Sequence, residues 1–244
     1  TAARPVTGGK VAAGLPNYYW NNLRPFTQIM NIHAGIMEDG NPKNPFNDWN
    51  FIIITYATGD FHVGNNDFPY EAEDGGHGNF RAGMEAGIRY FPRADRLLIA
   101  GDSAGAFAVP ALAGEILDDF YPRCRDVTLL SDSGQLLYDR WRTTARDIWK
   151  TDAAVWRPLK GENITLDWYR DLYRRRGDSL NYLYASSVRD YLLSAYYNDV
   201  ANKVYKTDAE VQELFQKQLR HMVKELKKLT SRFTMFLYDW KNLF

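Results

Sequence analysis

Between Asp95 and Leu112 a short apolar run meets a run of small residues across two glycines: Asp-Arg-Leu-Leu-Ile-Ala-Gly-Asp-Ser-Ala-Gly-Ala-Phe-Ala-Val-Pro-Ala-Leu. Arg96 to Ala100 reads as a buried parallel strand, and Ala104 onward reads as a helix. The joint, Gly101-Asp102-Ser103-Ala104-Gly105, has the form G-x-S-x-G. A strand that turns at once into a helix forces its middle residue into a strained backbone conformation, and glycine two positions to either side leaves room for the neighbouring backbone. Ser103 Oγ is then lifted above the sheet. The Ala104 N–H faces the place where an oxyanion would form, and the helix N-terminus adds a favourable dipole there. The competing reading of the five residues is a structural Gly-Ser turn. The strand before and the helix after favour a nucleophile elbow.

The surrounding chain alternates in the same way. Phe51 to Tyr56 is a continuous, β-branched apolar run and reads as the strongest strand. A helix from Phe80 to Tyr90, capped by Asn79, leads to the elbow. The elbow helix extends to about residue 119 and tolerates Pro110 in its early turns. A strand is expected over 126–131, helices over 135–150 and 166–176, a strand over 180–185, a helix from the capping box Thr207-Asp208-Ala209-Glu210 to about Thr230, and a last strand over 232–237. Residues 1–50, rich in Gly, Pro and Asn, read as loop with short helices. Repeated strand–helix order in 244 residues with no linker and no internal repeat predicts one α/β domain, 1–244, built on a mostly parallel, doubly wound sheet with helices on both faces.

Charge and cysteine content narrow the function classes. Thirty Lys+Arg balance thirty Asp+Glu, so no global field favours nucleic acid or an anionic membrane surface. No run of 18 apolar residues marks a membrane span. Cys124 is the only cysteine, which excludes an internal disulfide, and it lacks a catalytic neighbour pattern. The Arg174-Arg175-Arg176 triplet suits a helix C-terminus and a solvated face. The acidic loop over 65–78 lacks the alternation and terminal Glu of a calcium loop, so no metal and no cofactor is expected. The first ten residues do not have the pattern of a signal peptide.

A serine nucleophile needs a base, an acid that orients the base, and oxyanion donors. Asp132 and Asp190 both follow strands after Ser103 and either could be the acid; each could equally be a helix cap or loop brace. His221 is the only histidine after Ser103, but its place inside a basic helix beside Arg220 reads as exposed. In an open α/β sheet ligands bind beyond the C-terminal strand ends. Asp60 and His62, in Thr58-Gly59-Asp60-Phe61-His62-Val63-Gly64, therefore fall where a substrate cleft should be; their structural alternative is a surface loop in which the two brace each other or the backbone.

In order along the chain, Asn44-Pro45-Phe46 through Trp49-Asn50, then Tyr56 to Gly64, Gly78-Asn79-Phe80-Arg81, Gly101 to Gly105 and Ser131-Asp132-Ser133-Gly134 resemble the pectin acetylesterase family, which also contains the Wnt-deacylating Notum enzymes. The likeness is to bacterial-type members and covers about residues 40–240. It implies an α/β-hydrolase fold and ester hydrolysis through Ser, Asp and His, with Ser103 as nucleophile, Asp190 as acid and a structural role for Asp132. It also implies a Gly-Gly-Gly oxyanion segment ahead of Thr1, a histidine beyond Phe244, and a secreted or extracytoplasmic location. The partner expected is a small-molecule or polysaccharide ester, with removal of acetyl groups as the reaction. The alternative is a non-catalytic glycan-binding or scaffold protein on the same fold; a peptidase or thioesterase could share the elbow.

Overall fold

A computed structural model describes residues 35–38, 40–56, 58–66, 76–190, 193–194 and 208–239. In chain order the main elements are α1 (Gly76–Tyr90), β1 (Arg96–Asp102), α2 (Ala104–Glu115), β2 (Asp126–Asp132), α3 (Ile164–Arg176), β3 (Asn181–Ser187), α4 (Asp208–Leu229) and β4 (Phe233–Tyr238). The four strands form one parallel sheet in the order β1-β2-β3-β4. Each parallel pair is joined through a helical crossover, as parallel strands require. The fold is α/β, with the strand–elbow–helix layout of an α/β-hydrolase.

Alternation along the strands builds the core. Val127, Leu129 and Ser131 on β2, and Tyr182 and Tyr184 on β3, are buried on one face, while Thr128, Leu130, Leu183 and Ala185 between them are half-buried on the other. The buried face lies under α2, α3 and α4, which touch one another in that order and form a single layer. Among the described residues these helices cover one face of the sheet. α2 is apolar almost all round, with Phe107, Val109, Leu112 and Ala113 buried, because β1, β2 and α3 surround it. It continues into a wider π-type turn, Ile116–Phe120. α3 begins where the Asn163 side chain accepts the Leu166 N–H at 3.0 Å.

Two expected elements differ. Phe51 to Tyr56 is not a ladder strand. It is extended and its exposure alternates residue by residue, but it pairs with no strand among the described residues. Ile52 and Ile54 lie against Gly87 and Gly83 of α1, where a Cβ on either glycine would stand 2.6 Å and 3.2 Å from them. A groove of about 890 Å³ separates this segment from β1, the outermost strand among the described residues, so the segment packs like a half-buried strand without completing the sheet. The single helix expected over 135–150 is replaced by a loop, a short helix Trp141–Thr143 and a π-type turn Thr144–Ile148. The bent path seats Trp141 and Trp149 around Phe61, at centroid distances of 5.8 and 5.4 Å, which one straight helix would not do. α1 starts three residues before the expected cap. Residues 1–34, including Gly8, Gly9 and His33, and most of the acidic loop and of the segment after Asp190 lie outside the described residues.

Candidate active site

Ser103, Asp132 and Asp190 lie at or just beyond the C-terminal ends of β1, β2 and β3. Ser103 follows β1 directly and has φ 50° and ψ −112°. A side chain there costs about 1–3 kcal/mol of backbone strain, which persists only where the surroundings over-determine it. Two features do so. The Ser103 N–H donates to the Asp132 carbonyl of β2 at 2.9 Å. Gly101 lies so close to the start of α2 that a Cβ would stand 2.2 Å from the Gly105 carbonyl oxygen. Gly105, by contrast, has open space where its Cβ would be, so only the first glycine of the motif is sterically required by this packing. Ser103 is half-buried, and its hydroxyl has no hydrogen bond to another described residue. The Ala104 N–H opens α2 beside it.

A second step of the same kind ends β2. Ser133 has φ 57°, its N–H donates to the Ala185 carbonyl at 2.9 Å, and its hydroxyl donates to Asp132 Oδ1 at 3.0 Å. Asp132 is therefore held by its own loop. Asp190 caps the turn that follows β3: its Oδ1 accepts the Leu193 N–H at 2.8 Å, and its carbonyl accepts the N–H and hydroxyl of Ser194. Asp102, Asp132 and Asp190 lie within electrostatic reach of one another. The Asp102 carboxyl is pushed up to about 6, first by lost hydration and then by the charges of Asp132 and Asp190. Tyr238 at the end of β4 faces the same three carboxylates; burial first, then Asp132, raises its phenol.

The loop after Tyr56 holds Asp60 and His62 in different ways. Asp60 is fully buried and its oxygens are engaged within the chain: Thr58 Oγ1 donates at 2.5 Å, the His62 N–H at 3.1 Å and the Gly76 N–H at 2.8 Å. Burial pushes its carboxyl up while those three donors pull it down. It is a knot in the loop, not a wall of the groove. A Cβ on Gly64 or Gly76 would collide with it, at 2.3 and 2.2 Å. His62 does line the groove, together with Gly101, Asp102, Gly105 and Asp132, whereas Ser103 and Asp190 are not among the residues that line it. Its ring packs against Tyr56 in a tilted arrangement, centroids 4.8 Å apart, and burial lowers its pKa to about 4, so it is neutral at pH 7. The backbone of Phe61 and His62 is left-handed, φ 53° and 63°, and Phe61 plugs into the core by stacking on Phe107 at 4.3 Å.

The remaining described histidines are elsewhere. His221 is exposed on α4, as its neighbours suggested. His77 is engaged by Asn65 and Glu115. Among the described residues no group of three His, Cys, Asp or Glu could hold a metal ion, and no helix is long and apolar enough to cross a membrane. Cys124 is buried with its thiol toward the Asp95 and Asp126 carbonyls, and burial raises its pKa, as in an inert structural thiol. The Arg174–Arg176 triplet is absorbed by carboxylates: Asp171 takes Arg174 and Arg175, and Asp118 takes Arg176.

Sequence reasoning missed the support behind the elbow. The buried Ser131 and Tyr169 hydroxyls lie 2.6 Å apart beneath α2, and Gly134 presses on Ala106. The Ser131-Asp132-Ser133-Gly134 string was the signal, but nothing in it names the α2 residue it meets.

A search of curated protein sequences finds no match. Among solved structures the chain is similar to the Wnt deacylase Notum from Drosophila, at 15% identity and a TM-score of 0.48, over 75% of this chain and 56% of that one. The chain thus spans little more than half the length of that protein. A family model described as pectinacetylesterase matches residues 26–157, more than half of the 244 residues, and the chain belongs to that family.

Proposed function

We propose that this protein contributes the nucleophile of a serine carboxylester hydrolase that removes acetyl groups from a carbohydrate. The observation that carries the reading is the left-handed backbone of Ser103 at the exit of a parallel strand, with a helix N-terminus beginning at the next residue. In this reading Ser103 Oγ attacks the acyl carbon as an imidazole takes its proton, and the ester carbonyl oxygen becomes an oxyanion facing the Ala104 N–H. The alkoxide of the sugar leaves with a proton from that imidazole, and water then releases acetate from the acyl-serine. Asp190 orients that imidazole, at the end of the strand two places from β1. The base is a histidine outside the described residues: His62 is buried and, with its pKa lowered to about 4, a weak base, His77 is committed to Glu115, and His221 is exposed on α4.

His62 is the residue of the loop assigned to the substrate, because it lines the groove beside β1. Asp60 acts on substrate only by holding that loop. Membership of the pectinacetylesterase family supports acetyl as the acyl group and a polysaccharide as the alcohol. The test is turnover of 4-nitrophenyl acetate and of acetylated pectin by wild type and Ser103→Ala. Loss of both activities to background is expected. Retained turnover in the variant overturns the assignment.

A further inference from the structure

Pro110 lies inside α2. Proline has no N–H, so the carbonyl four residues earlier, that of Ala106, loses its helical partner. Ala106 is fully buried, and a buried carbonyl needs a donor. The donor comes from another element: the Ser131 hydroxyl of β2 donates to the Ala106 carbonyl at 2.8 Å. A serine hydroxyl carries one proton. The 2.6 Å contact between Ser131 Oγ and the Tyr169 hydroxyl is therefore donated by Tyr169. Ser131 and Tyr169 are both fully buried, so the relay is closed to water. One turn before Tyr169 on α3, Thr165 Oγ1 donates to the Gly134 carbonyl at 2.6 Å, and a Cβ on Gly134 would stand 2.8 Å from that of Ala106.

The relay reaches the elbow in one step, because the Ala106 N–H donates to the Ser103 carbonyl at 3.0 Å. β2 thus grips the elbow twice, through the Asp132 carbonyl on the Ser103 N–H and through the Ser131 hydroxyl on Ala106. We propose that Ser131 and Tyr169, acting through the Ala106 carbonyl that Pro110 leaves free, are positioning residues for the nucleophile. They fix the tilt of the first turn of α2, and with it the direction of the Ser103 side chain and the Ala104 N–H. The proposal rests on the reading of Ser103 as nucleophile.

A double-mutant cycle of Ser131→Ala and Pro110→Ala tests it. Ser131→Ala strands the Ala106 carbonyl, and Pro110→Ala restores a helical N–H to it. Ser131→Ala is expected to lower Tm and to cut kcat for 4-nitrophenyl acetate about tenfold with KM nearly unchanged, since small misplacements of reacting groups carry large rate costs. Adding Pro110→Ala is expected to recover both Tm and kcat. Tyr169→Phe should lower kcat in the same direction with a smaller loss. Additive Tm changes, with no recovery in the double variant, would overturn the carbonyl link. A lowered Tm with unchanged kcat in Ser131→Ala would reduce the relay to a purely structural one and overturn the positioning role. Failure of the nucleophile reading is distinguishable, because it shows as turnover that survives Ser103→Ala, while the Tm cycle needs no substrate.

Discussion

Asp102 shares the strand-end bowl with Asp132 and Asp190, and its carboxyl is pushed up to about 6. An unfolded aspartate titrates near 3.9. The folded chain therefore holds this proton more tightly than the unfolded chain between about pH 4 and pH 6. The associated stability is complete at low pH and is lost as pH rises through about 6. Asp102→Asn is accordingly expected to raise Tm at pH 8 and to leave it nearly unchanged at pH 4, as read by differential scanning fluorimetry across that range. A gain of equal size at both pH values would mean that the ionised carboxylate is not the source. His62 acts in the opposite sense: burial lowers its pKa to about 4, so the unfolded chain holds that proton more tightly and the associated stability is lost as pH falls from about 6.5 toward 4; it stays neutral from pH 5 upward, so a titration near neutrality in an activity profile belongs to another group.

Among the elements, α1 and α2 are clipped together by a partly exposed polar cluster. His77 Nδ1 faces Asn65 Oδ1 at 3.0 Å and Nε2 faces Glu115 Oε2 at 2.8 Å. Both partners are acceptors, which suits a ring protonated on both nitrogens. Arg81 reaches the same Glu115, and Asp119 at 2.9 Å. The hydrogen bond that His77 donates to Glu115 raises the His77 pKa above its ordinary value. Stability from this pair is thus fully present below about pH 6.5 and is lost as pH rises through the folded value. His77→Gln should cost about 2 kcal/mol at pH 6 and less at pH 9, measured by urea unfolding at the two pH values. A cost independent of pH would show that the imidazolium charge is not what joins the helices. α1 also shows why Gly83 and Gly87 are spaced four apart: the two bare positions accept Ile54 and Ile52 on one helix face.

Across the whole molecule, Phe61 ties the loop before the sheet to the segments after it. Its ring stacks on Phe107 of α2 and meets Trp141 and Trp149, residues 80 and 88 positions further along. Phe61→Ala should remove about 3–5 kcal/mol of stability, visible as a lowered urea midpoint with unchanged slope. A loss under 1 kcal/mol would mean that the loop folds apart from the sheet. This long-range cluster was not legible in the sequence, whereas the elbow was, because G-x-S-x-G between an apolar run and a small-residue run involves only neighbours whose strain is local. The β2, β3 and β4 strands were likewise visible as short segments in a repeating strand–helix order, and the long α4 as an amphipathic pattern behind its capping box. What the sequence by itself determined is therefore the set of locally encoded pieces: parallel strand, elbow and amphipathic helix, with Ser103 at the joint. Only the tertiary structure decided that Phe51 to Tyr56 stays apart from β1, that Asp60 is spent inside its loop while His62 faces the groove, and that Ser131 supplies the bond Pro110 withholds. Each of those outcomes is a hydrogen-bond or packing choice between residues distant in the chain, where spacing and propensity carry no information.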